Sequence, residues 1–109
     1  MQGVIDRFGQ IEPKVLVTVD GYYYNGKVID VLAKVKDVQP VLKGLEKTIV
    51  VPFAGSSLDI SSLENAVAED VFVDGFDAAE VNFERVEFNH PLWILYSSGT
   101  TGRPKPIVH

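Results

Sequence analysis

Two short, continuously apolar runs constrain the fold of this chain more than any other feature. Residues 15–19 and 48–51 are rich in Val and Ile, and each has the length of a strand that is buried on both faces. Between the runs, with Asn25 as a candidate cap, apolar residues recur at the spacing of one helix face: Val28, Val31, Leu32, Val35, Val38 and Leu42. We therefore expect neighbouring parallel strands joined by a crossover helix that begins near Lys27 and ends near Pro40.

Shorter patterns predict helices on either side of this unit. A run with spacings of three and four predicts a short helix that ends near Pro13, its apolar face being Val4, Ile5, Phe8 and Ile11. Farther along, Ser61 and Glu64 have the spacing of a capping box, in which each side chain accepts from a free backbone N–H. We expect a short helix to begin there.

The last third of the chain is predicted to be a loop followed by strands. Residues 69–82 mix acids and glycine with apolar residues, as in a surface loop holding at most one short edge strand. Residues 85–88 alternate in polarity and residues 92–96 are continuously apolar, so a strand is expected at each, the second one buried. The predicted fold class is α/β, with a parallel or mixed sheet, flanking helices and one unit over residues 1–109.

Composition excludes several classes of protein. The 109 residues contain no cysteine, which removes disulfides, thiolate catalysis and cysteine zinc sites and favours a reducing, cytoplasmic compartment. The net charge is -5 and no basic stripe is present, so a nucleic-acid partner is not expected. No apolar run approaches the roughly 18 residues that span a bilayer, so a membrane partner is not expected either.

Side chains suited to anion binding are concentrated in residues 96–106, here called the phosphate loop. The loop has two glycines, whose backbones can turn successive amides toward one anion, and four hydroxyl groups that can donate to phosphate oxygens. All 15 acidic residues of the chain precede Tyr96, whereas Arg103 and Lys105 lie within the loop. This composition has the outline of a polyphosphate-binding site.

The spacing of the glycines excludes the common nucleotide-binding P-loop. That motif has four residues between its glycines and then a lysine at the start of a helix, but Gly99 and Gly102 are separated by two residues. Pro104 and Pro106 also prevent a helix from following, so we expect a strand, a loop and a second strand. Glycine- and hydroxyl-rich turns are often plain connections, and the composition alone does not decide between the two interpretations.

The complete string of residues 96–105, YSSGTTGRPK, resembles the signature of the adenylate-forming superfamily, which includes acyl-CoA synthetases, luciferases and the adenylation domains of peptide synthetases. The resemblance implies that the loop holds the β- and γ-phosphates of ATP. A carboxylate then attacks the α-phosphate, and the thiol of CoA takes the acyl group from the resulting acyl-adenylate. ATP with Mg²⁺ and CoA are therefore the implied substrates, with no tightly bound cofactor.

Carried over residue by residue, the resemblance assigns phosphate binding to one cradle and one cation: Ser97, Ser98, Gly99, Thr100, Thr101, Gly102 and Lys105. Most relatives have glycine where this chain has Pro106, which removes one backbone donor and stiffens the end of the loop. No catalytic residue is assigned. His90 is interpreted as a turn residue, and no metal site built by the protein is expected, since magnesium enters with ATP.

The flanking residues look like the acetoacetyl-CoA synthetases in particular, with acetyl- and propionyl-CoA synthetases second. The resemblance lies in residues 20–27, 90–96 and 107–109. It implies a short carboxylate such as acetoacetate as the partner of ATP. It also implies that the chain is a piece of the family's large N-terminal domain, with the rest of the active site downstream, and that the isolated chain is inactive.

Two further expectations concern binding and assembly. A self-contained, non-enzymatic α/β module that binds a phosphorylated ligand or a partner protein through the same loop is the competing interpretation. In either case, an open sheet edge near Ile107 and Val108 predicts self-association, because exposed edges recruit other strands.

Overall fold

The computed structural model describes residues 2–55, 57–98 and 102–109. It is a mixed α/β structure, as predicted. Its elements in chain order are α1 (Gln2–Phe8), β1 (Val15–Val19), β2 (Gly21–Tyr24), β3 (Lys27–Asp30), α2 (Leu32–Val38), a 3-10 turn (Gln39–Val41), β4 (Lys47–Val51), β5 (Ala66–Ala68), α3 (Glu69–Val73), β6 (Ile94–Ser97) and β7 (Lys105–Val108). None of the helices in the described ranges is long and apolar enough to cross a membrane.

The main sheet has the strand order β1-β4-β5, and both pairs of strands are parallel. The predicted pairing of the two apolar runs is confirmed, with Val15 opposite Lys47 and Val19 opposite Val51. Strand β4 lies between its neighbours, and Thr48 and Val50 have no solvent-exposed surface. Val50, Val35 of α2 and Leu63 form the centre of the core, so the crossover helix covers the sheet as expected.

The prediction that this helix begins near Lys27 is wrong. Residues 21–30 form a β-hairpin, with Tyr24 opposite Lys27, and α2 begins only at Leu32. The reason is the Asn25-Gly26 pair, which takes positive φ angles of 49° and 71° and fits a two-residue hairpin turn. The expected helix face survives in part, because Val35, Val38 and Leu42 are buried.

The helix expected at Ser61 is also absent. The chain turns there, with Leu63 N–H donating to the Ile60 carbonyl at 3.0 Å, and then enters the short parallel strand β5. The amide side chain of Gln39 bonds both the backbone N–H and the carbonyl of Glu64, at 3.2 and 2.8 Å. Pairing with β4 therefore prevails over the local capping pattern.

The remaining elements agree with the sequence patterns only in part. The opening helix is confirmed but ends at Phe8, ahead of Pro13. A helix, α3, occupies the start of the region expected to be a loop, with Glu69 and Asp70 in its first turn, where carboxylates favour the helix dipole. Residues 85–88 form no strand, and β6 is a strand as predicted but is not buried.

Asp20 joins the carboxyl ends of β1 and β4. One carboxylate oxygen accepts from the N–H groups of Gly21, Phe53 and Ala54 at 2.8–2.9 Å, and the other accepts from Gly55 N–H at 2.7 Å. These donors stabilise the charged form, the N–H of Ala54 most and that of Phe53 next, and lower the pKa of Asp20 from 3.8 to about 2. The carboxylate therefore fixes the loop that leaves β4.

Asp20→Asn is expected to loosen the loop after β4, since one of the two accepting oxygens becomes an NH2 group that cannot accept and the other loses its negative charge. Hydrogen exchange at residues 53–55 should accelerate roughly tenfold or more, the scale of one lost charge-assisted hydrogen bond. Asp37→Asn, an exposed change on α2, is the control. Because the folded pKa is lowered, the stabilisation is full above pH 3.8 and is lost as the pH falls through about 2. Unchanged exchange in Asp20→Asn would contradict this role.

Candidate phosphate-binding site

Strands β6 and β7 form a separate antiparallel hairpin whose ends lead into the phosphate loop. Ile94 pairs with Val108, and Ser97 pairs with Lys105. Pro106 is opposite Tyr96 and has no N–H to donate, which a two-stranded hairpin tolerates because each strand has a free edge. Within the described residues, the chain therefore enters the loop from one strand and leaves it in another.

The pairing of β6 with β7 brings together two of the predicted site residues. Ser97 and Lys105 are directly opposite, a position in which the Cβ atoms of an antiparallel pair are about 5 Å apart. Both residues are exposed, as is Ser98, which follows β6. A hydroxyl donor and an ammonium group thus face solvent together at the loop end of the hairpin.

Gly102 supplies the backbone turn on the other side of the loop. Its φ of +102° lies where side chains are strained, although a Cβ there would meet no atom of the described residues within 4 Å. Glycine is therefore required for its backbone angle and not for lack of space. The other three predicted residues, Gly99, Thr100 and Thr101, lie outside the described residues.

Neither cation of the loop forms an ion pair in the described part of the chain, although Asp6 lines the same cleft as Arg103. The ion pair found there joins Lys14 to Glu46 at 3.9 Å, well away from the loop in sequence. Arg103 and Lys105 are exposed and take no part in it. Two cations and several hydroxyl groups, with no carboxylate in ion-pair contact among the described residues, form a surface that favours a polyanion.

Helix α1 and the turn that follows it contact both arms of the hairpin. The Tyr96 hydroxyl donates to the Arg7 carbonyl at 2.7 Å, and the Gln10 side-chain amide donates to the Pro104 carbonyl at 2.8 Å. Arg103 also lines a cleft of about 220 Å³ beside α1. Sequence patterns missed these contacts, because the partners are 89 and 94 residues apart.

The histidines do not form a metal centre with the acids in the part of the chain that the structure describes. No group of three or more His, Asp or Glu side chains is close enough there to hold an ion. His90 lies in the turn before β6, and its N–H donates to the Glu87 carbonyl at 3.0 Å.

The sequence profile of the AMP-binding enzymes matches residues 4–109. The chain belongs to the AMP-binding enzyme family. Among individual relatives of these enzymes, acetoacetyl-coenzyme A synthetase of Rhizobium meliloti is 51% identical over 109 residues, covering 99% of this chain and 16% of the relative. Acetoacetyl-CoA synthetase of Gallus gallus is 43% identical, covering 100% of this chain and 17% of the relative. Malonamoyl-CoA synthetase vrtB of Penicillium aethiopicum is 40% identical, covering 98% of this chain and 16% of the relative.

A solved AMP-binding enzyme has the same fold in this segment. The structure of acetoacetyl-CoA synthetase from Streptomyces lividans superposes with a TM-score of 0.83 at 42% identity, covering 98% of this chain and 16% of that one. The chain thus spans about one sixth of the length of the relatives it matches. The mixed α/β fold is that of an AMP-binding enzyme over these residues.

Proposed function

We propose that this chain supplies the ATP phosphate-binding loop of an AMP-forming acid–thiol ligase that activates acetoacetate. The observation that carries the proposal is the pairing of Ser97 with Lys105 at the loop end of the β6–β7 hairpin, within the string YSSGTTGRPK. Membership of the AMP-binding family supports it. The activity belongs to an enzyme of the relatives' length, of which these residues are about one sixth.

The proposed reaction has two steps. A carboxylate oxygen attacks the α-phosphorus of ATP, and pyrophosphate leaves to give the acyl-adenylate. The sulfur of CoA then attacks the acyl carbonyl, and AMP leaves. In the first step the hydroxyl and backbone N–H groups of residues 97–102 hold the β- and γ-phosphates, which enter with Mg²⁺, while Lys105 stabilises the charge that develops on pyrophosphate.

The substrate is proposed from the names of the relatives. Those named for acetoacetate and for malonamate share a chemical feature, since both acids have a carbonyl group on the carbon next to the α-carbon. Acetate and propionate, the substrates of acetyl- and propionyl-CoA synthetases, lack this group. A carboxylate with a β-carbonyl is therefore the proposed class of substrate, and acetoacetate its first member.

The test is a substrate panel on the full-length enzyme that contains this segment. ATP–pyrophosphate exchange is measured with acetoacetate, malonamate, acetate and propionate, and the ratios kcat/KM are compared. We expect acetoacetate to exceed acetate and propionate by at least tenfold, about the discrimination that one or two recognised groups provide. Equal kcat/KM values for all four acids would reject acetoacetate as the preferred substrate. No pyrophosphate exchange with any acid would reject the proposed ligase activity.

A cytoplasmic location and self-association are also proposed. A cytoplasmic location is supported by the absence of cysteine from the sequence. Self-association is supported by the exposure of Ile107 and Val108 on β7, whose outer edge carries no partner strand among the described residues. A single monomeric species in sedimentation at high concentration would exclude self-association.

Gly102→Ala is expected to weaken ATP binding in the full-length enzyme. A φ of +102° costs a residue with a side chain on the order of 1–3 kcal/mol, so the loop should relax away from its phosphate-binding shape. The KM for ATP should rise about tenfold, with that for acetoacetate unchanged. Gly75→Ala is the control, because Gly75 has no positive φ and its added Cβ makes an ordinary contact at 3.4 Å. Equal ATP binding by both variants would show that the angle is not required.

A further inference from the structure

The two hydrogen bonds between helix α1 and the hairpin lie next to the residues proposed to bind phosphate. Tyr96, which donates to the Arg7 carbonyl, immediately precedes Ser97. Pro104, whose carbonyl accepts from Gln10, immediately precedes Lys105. One bond therefore holds the arm that enters the loop, and the other holds the arm that leaves it.

Burial indicates that this is where the hairpin docks. Tyr96 is half-buried while its neighbours on β6, Leu95 and Ser97, are exposed. Pro104 is half-buried while Arg103 and Lys105 on either side are exposed. The half-buried residues are thus the two that bond to α1 and the turn after it, whereas the proposed phosphate-binding residues Ser97, Ser98 and Lys105 are exposed.

The acceptor on α1 is suited to this task. Arg7 lies in the last turn of the helix, and its carbonyl accepts from the backbone N–H of Gln10 at 3.1 Å as well as from the Tyr96 hydroxyl. Gln10 lies in the turn that follows, and its amide also donates to the Asp6 carbonyl, which keeps the side chain in place beside Pro104. Both bonds therefore originate from one short, continuous stretch of chain.

We infer that Gln10 and Tyr96 are positioning residues for the phosphate loop. They fix both arms of the hairpin to the end of α1, so that Ser97 and Lys105 are held at a set place when the triphosphate binds. Neither side chain needs to touch ATP for this role. The inference rests on the proposed function, since it specifies how the proposed ATP site is held in place.

A positioning role predicts that loss of these hydrogen bonds changes the KM for ATP and leaves the KM for acetoacetate unchanged. Catalysis of phosphoryl and adenylyl chemistry depends on placing the phosphates accurately, and a displacement of about 1 Å can cost on the order of a hundredfold. Losing one anchor leaves the other in place, whereas losing both frees the hairpin to move as a unit. The double variant should therefore lose more than the two single variants together.

The experiment uses the full-length enzyme and removes only the bonding groups. Tyr96→Phe deletes one oxygen and keeps the half-buried ring, and Gln10→Leu deletes the amide on an exposed residue. The matched controls are Tyr24→Phe on β2, which is 70% exposed, and Gln2→Leu on α1, whose amide bonds Asp6 within the same helix. Adenylation is followed by pyrophosphate exchange, and hydrogen exchange of residues 92–109 is measured alongside.

We expect the KM for ATP to rise about threefold to tenfold in each single variant and, in the double variant, by more than the product of the two single rises. The KM for acetoacetate and the transfer of preformed acyl-adenylate to CoA should stay within twofold, and hydrogen exchange should accelerate in the hairpin alone. An unchanged KM for ATP in the double variant would overturn the inference. So would a rise in both KM values accompanied by a lower melting temperature, because that is the signature of a general structural role.

These outcomes are distinct from failure of the proposed function. If the unsubstituted enzyme showed no acetoacetate-dependent exchange, the function would fail. If the enzyme were active and Lys105→Ala impaired it while the double variant did not, the function would stand and the inference about Gln10 and Tyr96 would fall.

Discussion

Lys105→Ala should slow formation of the acyl-adenylate by roughly tenfold to a thousandfold in the full-length enzyme, the range for losing one preorganised electrostatic contact. The reason is the position of Lys105: it is exposed at the start of β7, opposite Ser97, and in the described residues no carboxylate pairs with it. Its charge is therefore available to the triphosphate. The measurement is acetoacetate-dependent pyrophosphate exchange under saturating ATP and acetoacetate.

The second half-reaction separates a role toward the phosphates from a role in the fold. Started from preformed acyl-adenylate, transfer to CoA should be nearly unaffected by Lys105→Ala, since pyrophosphate has already left. Lys43→Ala, which removes an exposed lysine from the turn after α2, is the matched control for loss of charge. An equal loss in both half-reactions would show that Lys105 supports the structure or a shared step.

The isolated 109-residue chain should catalyse neither acetoacetate-dependent pyrophosphate exchange nor formation of the CoA ester. Phosphate contacts alone cannot bring a carboxylate into line with the α-phosphate. That alignment, which in our proposal depends on the other five sixths or so of the enzyme, can contribute about 7–11 kcal/mol, or five to eight orders of magnitude in rate.

Exposed apolar residues of the chain are consistent with this dependence. Phe83 and Phe88 are at least 83% exposed, and Leu92 and Trp93 at least 58%, an unusual concentration for a surface that no other segment covers. The assay compares the isolated chain with the full-length enzyme at equal concentration. Turnover above the uncatalysed background would contradict the prediction, and tight binding of ATP to the isolated chain would favour a self-contained binding module.

The sequence predicted those parts of the fold that depend on local, continuous patterns. Strands β1 and β4 consist mainly of β-branched residues, so their parallel pairing could be inferred from their order and the helix between them. The hairpin of β2 and β3 was missed because Val28 and Val31 also fit the spacing of a helix face, and the Asn25-Gly26 turn decides between the two. Strand β5 is three residues long and is defined by its pairing with β4, which no local pattern encodes.

The candidate site divides in the same way. Ser97, Gly102 and Lys105 could be named from a contiguous motif, and the two prolines correctly indicated a strand after the loop. The register that places Ser97 opposite Lys105 is a property of the folded hairpin. The anchors on α1 could not be predicted, because Gln10 and Pro104 are brought together only by the complete fold.

In the most direct test of the proposal, this chain replaces the matching segment of a relative. Acetoacetyl-coenzyme A synthetase of Rhizobium meliloti, 51% identical over 109 residues, receives this chain in place of its matching segment, and acetoacetate-dependent pyrophosphate exchange is measured with and without Lys105→Ala. We predict exchange within about tenfold of the unmodified relative, and a loss of at least about tenfold on adding Lys105→Ala. A folded hybrid that exchanges no pyrophosphate, or one that Lys105→Ala leaves unchanged, would contradict the assignment of this segment to the phosphates of ATP.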